Sequence, residues 1–314
     1  MDDGGKSPKV AVLIPCYNES RTVAGVVSEF RRYLPKASIY VYDNFSEDGT
    51  AKAAKQAGAS VRSVIARGKG NVVRQMFYAI DADIYVMVDG DATYDAADAL
   101  RMVDTLVEGK LDMIIAVRRE RSESAYRNGH RFGNFVFNSI VKLLFGSTFR
   151  DIFSGYRIFS KRFVKTFPSM SNGFDIETEL TIHALTLTLP CAEMESDYFE
   201  RPKNSYSKLK TCKDGFLILI RIIRLLKEVR PMFFFGVIAL ILFLLSIGIS
   251  YPILLTFIQT GLVPRLPTAV LATGIVLASL LSFTCGVILE SVSQLRIEVK
   301  KLHYLQIKHA NNEF

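Results

Sequence analysis

The 314-residue sequence predicts an α/β domain, a mostly parallel sheet with flanking helices, followed by an amphipathic interfacial helix and a two-helix transmembrane hairpin. Three observations carry that prediction. Short apolar or β-branched runs alternate with segments of helical spacing as far as residue 117, two long uncharged runs follow residue 231, and a dense basic stretch lies just before them. A hydrophobic content of 49 % and a positive mean hydropathy exclude a disordered chain, a collagen and a disulfide miniprotein.

The strands are expected at residues 10–14, 39–42, 61–65, 84–88 and 113–117, and the helices between them at 22–33, 50–57, 72–80 and 96–107. Such βαβα alternation makes a sheet covered on both faces, with ligands at the carboxyl ends of its strands. The polar residues gather at those ends. They are Pro15-Cys16-Tyr17-Asn18-Glu19 after the first strand, Asp43-Asn44 to Thr50 after the second, Arg67-Gly68-Lys69-Gly70-Asn71 after the third and Asp89-Gly90-Asp91 after the fourth. Each alone fits a turn or a helix cap. Together, in register at one sheet edge, they predict a nucleotide-diphosphate site: Asp89 and Asp91 as hard oxygen ligands for a divalent cation, Asp43 as acceptor for a base or ribose, and Lys69 against the diphosphate. Neither a GxxxxGK[ST] loop nor a GxGxxG turn after the first strand occurs.

The formal charge of +8 is unevenly distributed. Residues 1–200 carry 25 basic against 26 acidic side chains, residues 201–230 nine against two, and the remainder five against three. The excess is a local band before an apolar run, which points to an anionic membrane surface and not to nucleic acid. Residues 232–258 and 266–289 are uncharged, long enough to span, and joined by the short link 259–265. Arg221, Arg224, Lys227 and Arg230 precede the pair and Arg296, Lys300 and Lys301 follow it, so both flanks are expected on the cytoplasmic side of the cell (inner) membrane. No charged-then-apolar presequence opens the chain. In residues 211–231, Arg221, Arg224, Lys227 and Glu228 alternate at helical spacing with Leu217, Ile220, Ile223 and Leu226, either as an interfacial helix or as one more helix packed on the soluble domain. Gly236, Gly248, Gly274 and Gly286 permit close helix approach and a homo-oligomer. Cys16, Cys191, Cys212 and Cys285 have neither metal-ligand nor disulfide spacing.

The run Ile14 to Glu19, the Asp43…Asp48-Gly49-Thr50 segment and Asp89-Gly90-Asp91, in that order, resemble family 2 inverting glycosyltransferases, whose catalytic domain has the GT-A fold. Arg131-Phe132-Gly133-Asn134, Asp151 to Arg157 and Ser207-Lys208-Leu209 are similar to the polyprenyl-phosphate glycosyltransferase branch, with its dolichyl-phosphate mannose synthases and undecaprenyl-phosphate glucosyltransferases. The resemblance implies a cytoplasmic GT-A domain at 1–210, the amphipathic helix at 211–231, the hairpin at 232–289 and a cytoplasmic basic tail at 290–314. It implies transfer of one sugar from a nucleotide sugar, UDP-hexose or UDP-N-acetylhexosamine before GDP-mannose, to a polyprenyl phosphate such as undecaprenyl or dolichyl phosphate. Pro15, Tyr17, Glu19, Asp43, Asn44, Lys69 and Asp89 would bind the nucleotide, and Asp89 and Asp91 would hold Mg²⁺ or Mn²⁺. Arg118, Arg131, Arg201 and Lys208 would surround the acceptor phosphate, and Asp91, Arg118 and Arg131 would carry the catalysis. Asn44 stands where many members have a second Asp. Asp175, Glu177 and Glu179 either face the donor sugar or, for the two glutamates, form the first turn of a helix, and His183 is expected to be a packed residue. A non-catalytic nucleotide-binding anchor remains the rival of another class. A processive synthase with a Gln-x-x-Arg-Trp motif is excluded by the absence of Trp, and a hairpin free of intramembrane charge offers no ion path for transport.

Overall fold

The computed structural model describes residues 8–120, 139, 149–168, 176–199, 223 and 227–307. The chain forms two compact units, Met1–Leu209 with Lys300–Phe314, and Lys210–Val299.

The first unit is built on a seven-stranded sheet. Its strands are β1 (Val10–Cys16), β2 (Ser38–Asp43), β3 (Ser60–Ser63), β4 (Ile84–Met87), β5 (Met113–Glu120), β6 (Arg157–Ser160) and β7 (Cys191–Tyr198). In the order β3-β2-β1-β4-β6-β5-β7, every pairing is parallel except those of β6, which runs antiparallel to both β4 and β5. The chain winds outward from β1 to β3 and then restarts on the other side with β4, so the switch point lies between β1 and β4, where an open α/β sheet leaves a crevice.

The side chains of β1 show why it is central. Val12, Ile14 and Cys16 enter the core packed by α1 (Val23–Tyr33), α2 (Thr50–Gln56) and α4 (Asp98–Glu108), whereas Ala11 and Leu13 enter the opposite one, packed by α3 (Lys69–Ala79), α5 (Lys161–Thr166) and α6 (Ile176–Leu187). In the second core Phe163 stacks on Phe159 at 4.7 Å between ring centres, and the His183 ring meets Phe163 and Phe167 edge-on. His183 is buried and its Nε2 lies 3.3 Å from Thr166 Oγ1, a packed histidine as its sequence position suggested.

The five expected strands and four expected helices of the N-terminal half are present, with shifted ends. The ends of α3 and β5 shift by three residues, and α3 begins at Lys69 because Gly68, at φ 115°, turns the chain straight into the helix. The periodicity did not yield β6 or β7. Strand β6 is four residues long and opens on a charged residue, and β7, Cys-Ala-Glu-Met-Glu-Ser-Asp-Tyr, is an edge strand with polar side chains on most positions.

The second unit contains α7 (Pro231–Thr260) and most of α8 (Leu266–Gln306), each long and apolar enough to cross a membrane. Pro231 opens α7 and Gly261, at φ 69°, closes it. Small residues at seven-residue spacing form the seam: Ala239 and Ser246 on one helix, Ala272, Ser279 and Gly286 on the other, all buried. Ser279 donates to the Ala239 carbonyl at 2.7 Å, Ser246 to that of Ala272 at 3.0 Å and Ser282 to that of Phe235 at 3.1 Å. Of the four glycines, only Gly286 faces the seam, 3.1 Å from Phe235 Cβ when given a Cβ; Gly236, Gly248 and Gly274 face open space. The second helix does not stop at residue 289, since 290–306 lacks Gly and Pro and continues it into the expected basic tail.

Candidate functional site

Three loops at the carboxyl edge of the sheet are stitched into one wall. After β1, the amide of Asn18 donates to Ser46 Oγ at 2.8 Å, that of Glu19 to Thr50 Oγ1 at 2.8 Å and that of Ser20 to Asp48 Oδ2 at 3.0 Å. Thr22 Oγ1 then donates 2.6 Å to the carbonyl of Gly90, joining the β1 and β4 loops across the switch point. A Cβ at position 90 would fall 2.5 Å from Cys16 Sγ and collide with Glu19 Oε2, so any larger residue there has to push these side chains aside. Asn18, Phe45 and Ala92, one in each loop, have positive φ values of 53°, 61° and 59°, the local strain that accumulates where a site fixes its backbone.

Asp43 ends β2 with its side chain buried. Oδ2 accepts the Ser46 amide at 3.1 Å, while Oδ1 has no hydrogen-bond partner among the described residues. Asn44 faces another way: its Nδ2 donates to the carbonyls of Val64 at 3.0 Å and Ala66 at 2.9 Å, and its Oδ1 accepts the Gly68 amide at 2.7 Å. The side chain expected to touch nucleotide therefore shapes the loop that delivers Lys69. Pro15 pairs with Tyr42 in the sheet, Tyr17 is half-buried beside it in the loop, and the Cys16 thiol is pushed well above its usual range by burial and then by Glu19.

Lys69 is the junction of the site. Its Nζ lies 2.5 Å from Asp89 Oδ1 and also donates to Glu177 Oε1, from the first turn of α6. Burial alone would lower the ammonium pKa, but Asp89 and Glu177 outweigh it and hold the group charged, above the ordinary lysine value. Asp91 is buried, and Thr93 donates to its Oδ1 from its hydroxyl at 2.6 Å and its amide at 3.3 Å. Against Asp89 lies Gly155, where a Cβ would collide with the carboxylate. Asp89 and Asp91 offer hard carboxylate oxygens two residues apart, the ligand type that Mg²⁺ or Mn²⁺ takes, although Asp89 is paired with Lys69 and no group of three or more His, Cys, Asp or Glu side chains gathers around a cation position among the described residues.

Arg118, at the carboxyl half of β5, is gripped in bidentate fashion by Asp151, Nε to Oδ2 at 2.6 Å and Nη2 to Oδ1 at 2.8 Å, and lies over the Tyr198 ring. Tyr94 donates no strand of its own yet links the parts: the Gly155 amide bonds its hydroxyl at 2.9 Å, and its ring packs on Tyr156 and Tyr198. Arg157 is fully buried and spends itself on the carbonyls of Ser154 and Ile152 and the hydroxyl of Thr181; burial lowers its pKa to about 10. Sequence reasoning did not single out Tyr94, Asp151, Gly155 or Arg157 for these tasks, although the last three lie in the quoted 151–157 run. Arg131, Asp175, Arg201 and Lys208 lie outside the described residues, and Glu179 is half-buried two residues beyond Glu177.

With this geometry in view, the comparisons with known proteins are specific. The family model described as glycosyl transferase family 2 matches residues 11–167. The chain is 36 % identical over 229 residues to the glycosyltransferase AglJ of Haloferax volcanii, covering 72 % of this chain and 75 % of that one. It is 25 % identical over 192 residues to a dolichyl-phosphate hexose transferase of the same organism, covering 61 % and 83 %. Among solved structures, glucosyl-3-phosphoglycerate synthase from Mycobacterium tuberculosis, in complex with Mn²⁺ and UDP-glucose, superposes with a TM-score of 0.58 at 21 % identity over 71 % of this chain and 79 % of that one, a likeness of fold.

Proposed function

Because the chain belongs to glycosyl transferase family 2, we propose that it transfers one sugar, with inversion, from UDP-hexose or UDP-N-acetylhexosamine to a polyprenyl phosphate at the cytoplasmic face of a membrane. The observation that carries the donor assignment is Asp43. With Oδ2 accepting the Ser46 amide, the buried Oδ1 is left without a hydrogen-bond partner among the described residues at the carboxyl end of β2. Uracil offers one N–H, which suits that single unpartnered oxygen, whereas guanine offers N1–H and N2–H side by side and would have to share Oδ2 with the Ser46 amide. The acceptor assignment is supported by the two apolar helices, by the basic band at residues 201–230, and by the relative that acts as a dolichyl-phosphate hexose transferase.

A phosphate acceptor is anionic near neutral pH and needs no strong base, so the protein's task is positioning and charge neutralisation. Arg118, its plane set by Asp151, would orient that phosphate, with Arg131, Arg201 and Lys208 contributing charge. Asp89 and Asp91 would hold Mg²⁺ or Mn²⁺, whose charge would neutralise the departing nucleoside diphosphate. Glu177 would hydrogen-bond the donor sugar. The test is transfer of radiolabel from a panel of UDP-sugars and GDP-mannose into organic-extractable lipid, in membranes supplied with polyprenyl phosphate, with and without chelator. A UDP-sugar product abolished by chelator is expected. Label from GDP-mannose alone overturns the base assignment, and no lipid product from any donor overturns the enzyme reading.

A further inference from the structure

We propose that Lys69 is the resident cation of the Asp89 site in the nucleotide-free protein, and that its displacement couples arrival of metal and nucleotide to the unmasking of Glu177. The inference rests on the donor-site reading above and deepens it. Lys69 lies between Asp89 and Glu177, with side-chain exposures of 12 %, 28 % and 8 % respectively. An ammonium in that position satisfies the two carboxylates that a divalent cation and a sugar would otherwise engage. A second cation on Asp89 would therefore meet the Lys69 charge at close range in a poorly solvated pocket, where such repulsion is strong.

A nucleoside diphosphate resolves the conflict. Its phosphates give the ammonium a new anionic partner, and the metal then inherits Asp89. Once Lys69 leaves, Glu177 is a buried carboxylate in need of donors, which the hydroxyls of a bound sugar supply. The local backbone suits such a movement: Lys69 is the first residue of α3, preceded by Gly68 at φ 115° and followed by Gly70. The amide of Gly68 is anchored by Asn44, so the loop stays in place while the long side chain moves.

The consequence is a binding cooperativity that activity assays do not read. Mn²⁺ affinity of the full-length protein, measured by electron paramagnetic resonance with and without UDP, should differ by about five-fold or more in the wild type. Lys69→Met should bind Mn²⁺ alone several-fold more tightly than the wild type, bind UDP more weakly, and show little coupling between the two. Lys69→Gln, which keeps a hydrogen-bond donor without charge, should give the same gain if the methionine variant does not fold, and Lys69→Arg should retain the coupling. A wild type that binds Mn²⁺ and UDP, with no gain in metal-only affinity in the folded Met or Gln variant, overturns the switch alone. A wild type that binds neither overturns the donor-site reading and the switch with it.

Discussion

Asp43 and Asn44 are chain neighbours with opposite tasks, and the difference is visible atom by atom. One has a buried carboxylate oxygen with no hydrogen-bond partner among the described residues, and the other spends both amide hydrogens and its oxygen on the loop that carries Lys69. Asp43→Asn should weaken UDP binding by about ten-fold or more, the cost of losing a charged acceptor, as read by calorimetry. Asn44→Ala should instead raise the mobility of residues 64–68 and lower thermal stability, because three hydrogen bonds go at once. His183 gives a pH signature. Burial pushes it down to about 3, from 6.5, so it is neutral in the fold while the unfolded chain takes up a proton below about 6.5. Stability should therefore be full above that value and fall progressively towards pH 3. Urea denaturation of His183→Phe should show a shallower loss between pH 6 and 4, by up to about 1.4 kcal/mol per pH unit. The residues Asp89, Gly90 and Asp91 were legible in the sequence only beside the other polar loops in register at the same sheet edge, since a carboxylate pair around a glycine by itself also fits a turn. Gly155 was not, since its reason for being glycine is a carboxylate more than sixty positions away.

At the scale of elements, what the sequence disclosed divides along the sheet. Strands β1 and β4 are apolar runs buried on both faces, and their pattern announces them; β6 and β7 take their place from partners distant in the chain, and no local period marks them. Strand β6 nevertheless arranges half the site, because the turn before it supplies Asp151 to Arg118 and Gly155 to Asp89. Asp151→Asn should leave donor binding close to wild type and reduce turnover on lipid acceptor by about ten-fold or more, through loss of the bidentate grip on Arg118. Equal loss of donor binding would count against that division. In the apolar helices the seam rather than the outer surface is demanding. Gly286→Leu should separate the pair at Phe235 and lower the melting temperature in detergent, whereas Gly274→Leu, facing open space, should not.

For the molecule as a whole, the +8 charge and the positive hydropathy are two aspects of one arrangement. A nearly neutral catalytic unit precedes a short basic band, and the band precedes two apolar helices. On the sequence alone the first unit ends at residue 210 and is assigned nothing beyond the hairpin. Its boundary near residue 210 is only the first of two, because the end of α8 returns to the same unit. There the Tyr304 hydroxyl donates 2.6 Å to Asp112, which is completely buried and also accepts from Ser160 and Arg162, while the Arg162 guanidinium covers the Tyr304 ring. Tyr304→Phe should leave one oxygen of Asp112 short of a donor and cost about 1–3 kcal/mol in global stability. That single tyrosine makes the apolar hairpin an insertion within a discontinuous domain. A ribosome emits the sheet residues first and Tyr304 only after both apolar helices, so the hydrogen bonds around Asp112 stay incomplete until the whole apolar segment has been made.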